Sequence, residues 1–158
     1  MDKHDGRTDF DFIVGKWAIH HRRLRERLAG SESWEEFDGT SEARLILDGI
    51  GNVDELWAER ESGPLRGFTV RLFDPKMAEW RIYWGSGAGG PLDVPMAGRF
   101  DRGRGEFYAQ DTHEGRHVYC RFIWSDITAN AARWEQALSE DGGRTWEVNW
   151  IMEFTRRE

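Results

Sequence analysis

Two histidines and two arginines stand together in His20-His21-Arg22-Arg23, on a segment that opens with Gly15-Lys16-Trp17. Alternate side chains of a strand share a face. If Trp17 turns inward, Ile19, His21 and Arg23 turn inward with it. An imidazole beside a guanidinium pairs a proton carrier of near-neutral pKa with an anion stabiliser. Neither group is buried cheaply without a partner. Further along, Val53, Glu55, Trp57 and Glu59 share a face and Asp54 takes the other, so we expect His21 and Arg23 to meet Glu55. The same contact also reads as a rim ion pair without functional meaning.

Around that polar group the chain supplies indoles. Trp57, Trp80, Trp84, Trp134 and Trp150 are expected to stack on a flat ligand and His21, Arg23, Glu55 and Tyr83 to orient it, with Gln136 and Arg121 as further candidate ligand-binding residues. The leading expectation is a binding protein for a small, mostly apolar or aromatic molecule. The alternative is an isomerase, cyclase or hydrolase with His21 as acid or base and Arg23 on the anion. No nucleophile elbow, Ser/His/Asp order or paired-carboxylate motif accompanies it. A third reading uses His20, His21, His113 and His117 as haem or metal ligands, although Glu114-Gly115-Arg116 makes the last pair a hairpin tip. No metal and no cofactor is expected.

Composition narrows the partners. A net charge of -7 argues against nucleic acid and anionic membranes. No stretch approaches the length of a membrane span. One cysteine, Cys120, allows no internal disulfide and reads as a small buried hydrophobe. Met1 to Arg7 is polar and carries no apolar export core, so we expect a cytoplasmic protein.

The elements that must hold these residues are strands. Turn signals recur at Leu28-Ala29-Gly30-Ser31, Asp48-Gly49-Ile50-Gly51-Asn52, Ser62-Gly63-Pro64, Asp74-Pro75-Lys76, Asp101-Arg102-Gly103-Arg104, His113-Glu114-Gly115 and Asp141-Gly142-Gly143. Short connections make sequence neighbours pair, and a long meander hides its edges by closing. The expectation is all-β: one domain over residues 1–158, a single antiparallel up-and-down barrel of about 8–10 strands, its base closed by a short helical turn within Asp9 to Val14. His20 to Leu28 is read as strand, and Gly85 to Pro91 as a loop at the mouth. The inward sets read from alternation are Phe68, Val70 and Leu72; Trp80, Ile82 and Trp84; Val118, Cys120, Phe122 and Trp124; Trp134, Gln136 and Leu138; and Trp146, Val148, Trp150, Met152 and Phe154. Arg156 is expected over Trp17. Ile123 and Ile151 face outward and are the candidate contact for a homodimer.

Gly15-Lys16-Trp17, the aromatic approach Phe10 and Phe12, and the terminal Phe154-Thr155-Arg156 resemble the calycins, the group of lipocalins and fatty-acid-binding proteins. Three segments resemble more closely an uncharacterised bacterial family of lipocalin-like domains of unknown function. They are Phe12 through Leu24, Gly49 through Glu55, and Ala132-Arg133-Trp134-Glu135-Gln136-Ala137 with Trp150 through Phe154. The resemblance implies a ligand-holding barrel and no particular activity. The chain departs from secreted lipocalins in lacking an export signal and disulfide. It departs from fatty-acid-binding proteins in lacking a helical lid and their Arg-x-Tyr; Tyr119-Cys120-Arg121 is a reversed echo that would make Arg121 an anion clamp. Gly-x-Trp is also similar to nitrobindin, which is what the haem reading rests on. Ser139-Glu140-Asp141-Gly142-Gly143-Arg144-Thr145-Trp146 resembles the Asp-box hairpin of sialidase propellers and is read here as a structural turn.

Overall fold

The computed structural model describes residues 4–157; Met1, Asp2 and Lys3 of the polar leader, and Glu158, lie outside the described residues. A short 3-10 turn, Asp11–Ile13, precedes the strands β1 (Gly15–Leu24), β2 (Trp34–Ile46), β3 (Gly51–Ala58), β4 (Leu65–Asp74), β5 (Glu79–Ser86), β6 (Met96–Asp101), β7 (Arg104–His113), β8 (Arg116–Ser125), β9 (Ala131–Ser139) and β10 (Glu147–Arg157). Each pairs antiparallel with its sequence neighbour, and β1 pairs with β10 to close the barrel. Closure satisfies both edges, as the run of short turns implies. Among the described residues no helix is long and apolar enough to cross a membrane.

The base is plugged by the segment before β1. Phe10 is fully buried and packs edge-on to Trp80 and Phe100, with ring centroids 5.1 and 4.8 Å away. Trp17 sits over the same end, its indole N–H donating to the Ile13 carbonyl at 2.8 Å. Arg156 ties plug to wall as its sequence position suggested. Its guanidinium lies 4.2 Å from the Trp17 ring centroid and donates to the carbonyls of Val14, Phe12 and Ala129. Gly15 makes room for it: φ is +120°, and a Cβ there would stand 2.6 Å from Arg156 Nη1. Arg156→Met is therefore expected to lose about 2 kcal/mol, since charge-assisted bonds to carbonyls and a cation–π contact go together. A urea melt of the variant checks it.

Strand parity follows the sequence reading on β1, β5, β8 and β9 and for Trp150, Met152 and Phe154 of β10, and departs from it on β3, on β4 and at the start of β10. On β4 the buried residues are Thr69, Arg71 and Phe73, while Phe68 is exposed and Val70 and Leu72 are half-buried on the outside. On β3 Asn52, Asp54, Leu56 and Ala58 turn in, so Glu55 and Trp57 face solvent. The reason is the Asp74-Pro75 hairpin. It sets Phe73 opposite Trp80, so an inward Trp80 carries Phe73, Arg71 and Thr69 in with it. Cross-strand register overrides the apolar pattern.

β10 shows a second departure. Val148 pairs with Ala137 and Trp150 with Gln136, so Asn149 is the extra residue of a bulge. The bulge reverses parity: Trp146 and Val148 lie on the outside and Glu147 turns in. The Asp-box turn behaves as expected, Asp141 accepting from the Ser139 and Thr145 hydroxyls and from two backbone N–H groups. It lays Trp146 back against the outer wall beside Tyr108 and Arg121. The strand read over His20 to Leu28 ends at Leu24. Ile123 has outward parity but is only 3% exposed, so it offers a partner little surface.

Candidate functional site

An interior cavity of about 150 Å³ lies between the plug and the mouth. Its walls differ in kind. β8, β9 and β10 contribute Phe122, Trp124, Trp134, Trp150, Met152 and Phe154; the opposite wall, from β2, β3 and β4, contributes Ser41, Asp54, Thr69 and Arg71. A further space of about 100 Å³ continues toward the mouth under Arg27, Asp93 and Val94. Arg27, Ile82, Trp84, Asp93, Phe122 and Gln136 line both.

The aromatic wall is held rigidly. Trp134 stands edge-on to Trp150 at 5.4 Å and to Phe122 at 4.9 Å. Trp84 lies flat against β4 because residue 67 is glycine: a Cβ there would come within 2.3 Å of the indole. Gln136 is fixed by donating its amide to Asn149 Oδ1 at 2.8 Å, so the bulge residue serves the cavity wall.

The polar wall is built on a buried ion pair. Arg71 Nη1 donates to Asp54 Oδ2 at 2.7 Å and to Asn52 Oδ1 at 2.9 Å. The guanidinium also lies 5.2 Å from the Phe10 ring and 5.8 Å from Trp124, which places it at the floor. Neutralising both charges inside the protein is what permits their burial among aromatic rings. Arg23, by contrast, lies near the mouth over the face of Trp150, 4.5 Å from the ring centroid. Burial, together with Arg27 and Arg60, lowers its pKa to about 10.

His21 is placed differently from the sequence expectation. It is fully buried, stacked on Phe37 at 4.5 Å, and accepts the Trp150 indole N–H on Nδ1 at 3.1 Å. That bond leaves Nδ1 without a proton, so the neutral ring carries it on Nε2. Nε2 faces β2, 3.2 Å from where a Cβ of residue 39 would stand; Gly39 leaves that space. His21 is not among the cavity-lining residues. Burial, then the charges of His20 and Arg23, push its pKa down to about 3. An acid/base role for His21 is thus set aside: the ring is neutral, walled off by Trp150, and shows no nitrogen to the cavity.

The depressed pKa has a stability consequence. Below the unfolded-state histidine value the unfolded chain binds a proton that the folded chain refuses, so stability falls as pH drops from about 6.5 toward 3. The slope contributed by His21 approaches about 1.4 kcal/mol per pH unit in that window. His20 acts oppositely: bonds to Asp38 and Glu36 raise its pKa, and its contribution fades as pH rises. His21→Phe is expected to flatten the loss between about pH 6 and 4.5. Denaturant melts across that range check it, and an imidazole nitrogen spectrum in which His21 titrates near neutrality would refute it.

Of the residues singled out from the sequence, Arg23, Trp84, Trp134, Gln136 and Trp150 come together on the cavity. Trp80 is inward but belongs to the floor, its indole N–H donating to the Gly6 carbonyl. Glu55, Trp57 and Tyr83 are on the outer face by register. Arg121 is outside as well, its guanidinium 4.4 Å from the Trp146 ring centroid, and so is no interior anion clamp. His20 is on the outer face between Asp38 and Glu36; at the β7–β8 hairpin His113 pairs with Arg116 and His117 with Thr112, which puts the two imidazoles on opposite faces, and His113 lines the space under Arg27. Among the described residues no histidine lines the main cavity, His113 alone reaches the space beyond it, and no three metal-ligating side chains gather. Sequence reading missed Ser41, Asp54, Thr69, Arg71 and Arg27. Pairing Phe73 with Trp80 across the Asp-Pro turn would have found Thr69 and Arg71.

No protein-family model matches the chain, and no curated protein matches it. Among solved structures it is similar to the S-type phycobiliprotein lyase from Guillardia theta, at 11% identity and a TM-score of 0.64, covering 100% of this chain and 98% of that one. A de novo designed fluorescence-activating β-barrel matches at 12% identity and a TM-score of 0.50, covering 93% and 95%. EF1p2_mFAP2b bound to DFHBI matches at 9% identity and a TM-score of 0.52, covering 96% and 99%. At these identities the likeness is one of fold, and what the chain shares with all three is the antiparallel β-barrel.

Proposed function

We propose that this protein is a binding barrel for a small flat aromatic molecule of one or two rings, held inside against Trp134, Trp150 and Phe122. The observation that carries this reading is the division of one interior cavity into an aromatic wall and a hydrogen-bonding wall. Apolar pockets with a few placed polar groups are how small ligands are bound selectively. Volume sets the ligand's size. Drug-sized pockets begin at about 300 Å³, whereas a cavity of this protein's kind, at about 150 Å³, suits a single ring. The space under Arg27 extends that to a second ring or a substituent.

Two of the similar structures are named for fluorescence activation or are bound to DFHBI. They support the idea that such a barrel takes a flat ligand, without indicating which. Tryptophan emission on titration with phenols, indoles and naphthalene derivatives tests the proposal. Quenching is expected, and Leu56→Phe, which fills the cavity from β3, should abolish it while the protein stays folded. Emission indifferent to every ring at millimolar concentration would sink the reading, and native mass spectrometry of freshly purified protein would report any ligand already held.

A further inference from the structure

We infer that the ligand is an aromatic acid read at both ends, its carboxylate at the mouth by Arg23 and Arg27 and a ring hydroxyl or N–H at the polar wall by Ser41, Asp54 and Thr69. The inference deepens the binding proposal above and rests on it.

The mouth supplies the first half. Arg23 and Arg27 both line the cavity. Among the described residues neither guanidinium donates a hydrogen bond or forms an ion pair; Arg23 has only the face of Trp150 beneath it. Of the acids nearby among the described residues, Glu35 and Glu147 are engaged, while Asp93 and Asp111 share the space under Arg27 without an ion pair to it within 4.0 Å. Glu35 is held by Arg25 at 3.2 Å and by the Ser62 hydroxyl at 2.9 Å. Glu147 accepts the Leu28 backbone N–H at 2.7 Å. Asp93 acts on Arg27 through the field and makes no ion pair with it within 4.0 Å. Arg60 adds further positive potential beside Arg23. Two half-buried guanidiniums facing one cavity repel each other, and a carboxylate between them removes the repulsion and fills their donors.

The polar wall supplies the second half. Asp54 gives Oδ2 to Arg71, leaving Oδ1 without a partner among the described residues. The hydroxyls of Ser41 and Thr69, on the strands flanking β3, are likewise unpaired within the described residues. An unengaged carboxylate oxygen with hydroxyls beside it accepts a hydrogen bond and repels an anion. The mouth carries a carboxylate too, Asp93, but with two guanidiniums beside it, so the acid group of the ligand is directed to the mouth and its donor to the opposite wall, with the ring between them on Trp134 and Trp150. Polarity fixes the orientation that shape alone leaves open.

The test is calorimetric titration of the full chain with para-hydroxybenzoate, para-hydroxybenzamide and benzoate, and with the matching hydroxynaphthoate, its amide and naphthoate. The hydroxy acids are expected to bind about tenfold to a hundredfold tighter than their amides, as a charge-assisted contact supplies. Arg27→Gln and Arg23→Gln should each bring that ratio toward one while moving the amide affinity less than about threefold. Thr69→Val should narrow the gap between hydroxylated and plain acids and leave the acid-to-amide ratio alone. Because the readout is a ratio within each variant, partial unfolding does not mimic it. Amides that bind as well as acids, or a ratio that survives both arginine substitutions, would overturn the inference while leaving an aromatic-binding barrel in place. If no ring of either charge binds, the binding proposal itself fails.

Discussion

Asp54→Leu is expected to destabilise the fold by about 3–5 kcal/mol, because it leaves Arg71 charged and buried with only Asn52 to receive its donors. The two side chains are 7% and 6% exposed, so water does little to replace the missing carboxylate. Phe10 and Trp124 flank the guanidinium and solvate a cation only partly. Adding Arg71→Met should recover most of the loss, since replacing both members of a buried pair by apolar groups is far less costly than removing one. Denaturant melts of the two single variants and the double variant give the coupling energy directly. A loss below about 1 kcal/mol for Asp54→Leu would mean that Arg71 reaches water through the cavity. The double variant should also lose whatever affinity the polar wall provides, while the aromatic wall continues to bind rings.

Phe10→Ala is expected to cost a similar amount, about 3–5 kcal/mol, by emptying the centre of the plug. Phe10 is 0% exposed and packs against rings from four strands: Trp80 on β5, Phe100 on β6, Phe107 on β7 and Trp124 on β8. Its neighbours are fixed by their own strands, so they relax only partly into the space. The floor under Arg71 would then open, and ring ligands longer than those the native barrel accepts should gain affinity relative to single rings. A urea melt measures the first effect and a titration series of one-ring and two-ring ligands the second. Unchanged stability would mean that the barrel does not depend on this plug residue.

The pattern of strands and turns was legible because its causes are local. Gly-x-Trp opening β1, Asp-Pro at the β4–β5 turn and the Asp-box before β10 each act within a few residues. Alternation within β1, β5, β8 and β9 needed only the pleat. The Arg156–Trp17 contact followed from the two ends of the chain closing the same barrel.

The polar wall of the cavity was less legible for a definite reason. Alternation tells which residues share a face, and choosing which face is inside assumes that the apolar one is. On β4 the apolar set Phe68, Val70 and Leu72 faces out, and Thr69 and Arg71 face in. A cavity with one polar wall inverts the rule on that wall. The bulge at Asn149 likewise turned Trp146 outward, and no residue count along one strand reports an extra residue opposite another.

Sequence by itself therefore determined a closed meander with a tryptophan–arginine latch and an interior rich in indoles, because pleat, turn and composition are properties of short segments. Only the tertiary structure decided that Asp54 and Arg71, rather than Glu55 and His21, face the interior cavity, because inside and outside are fixed by register between strands and by the bulge that shifts it.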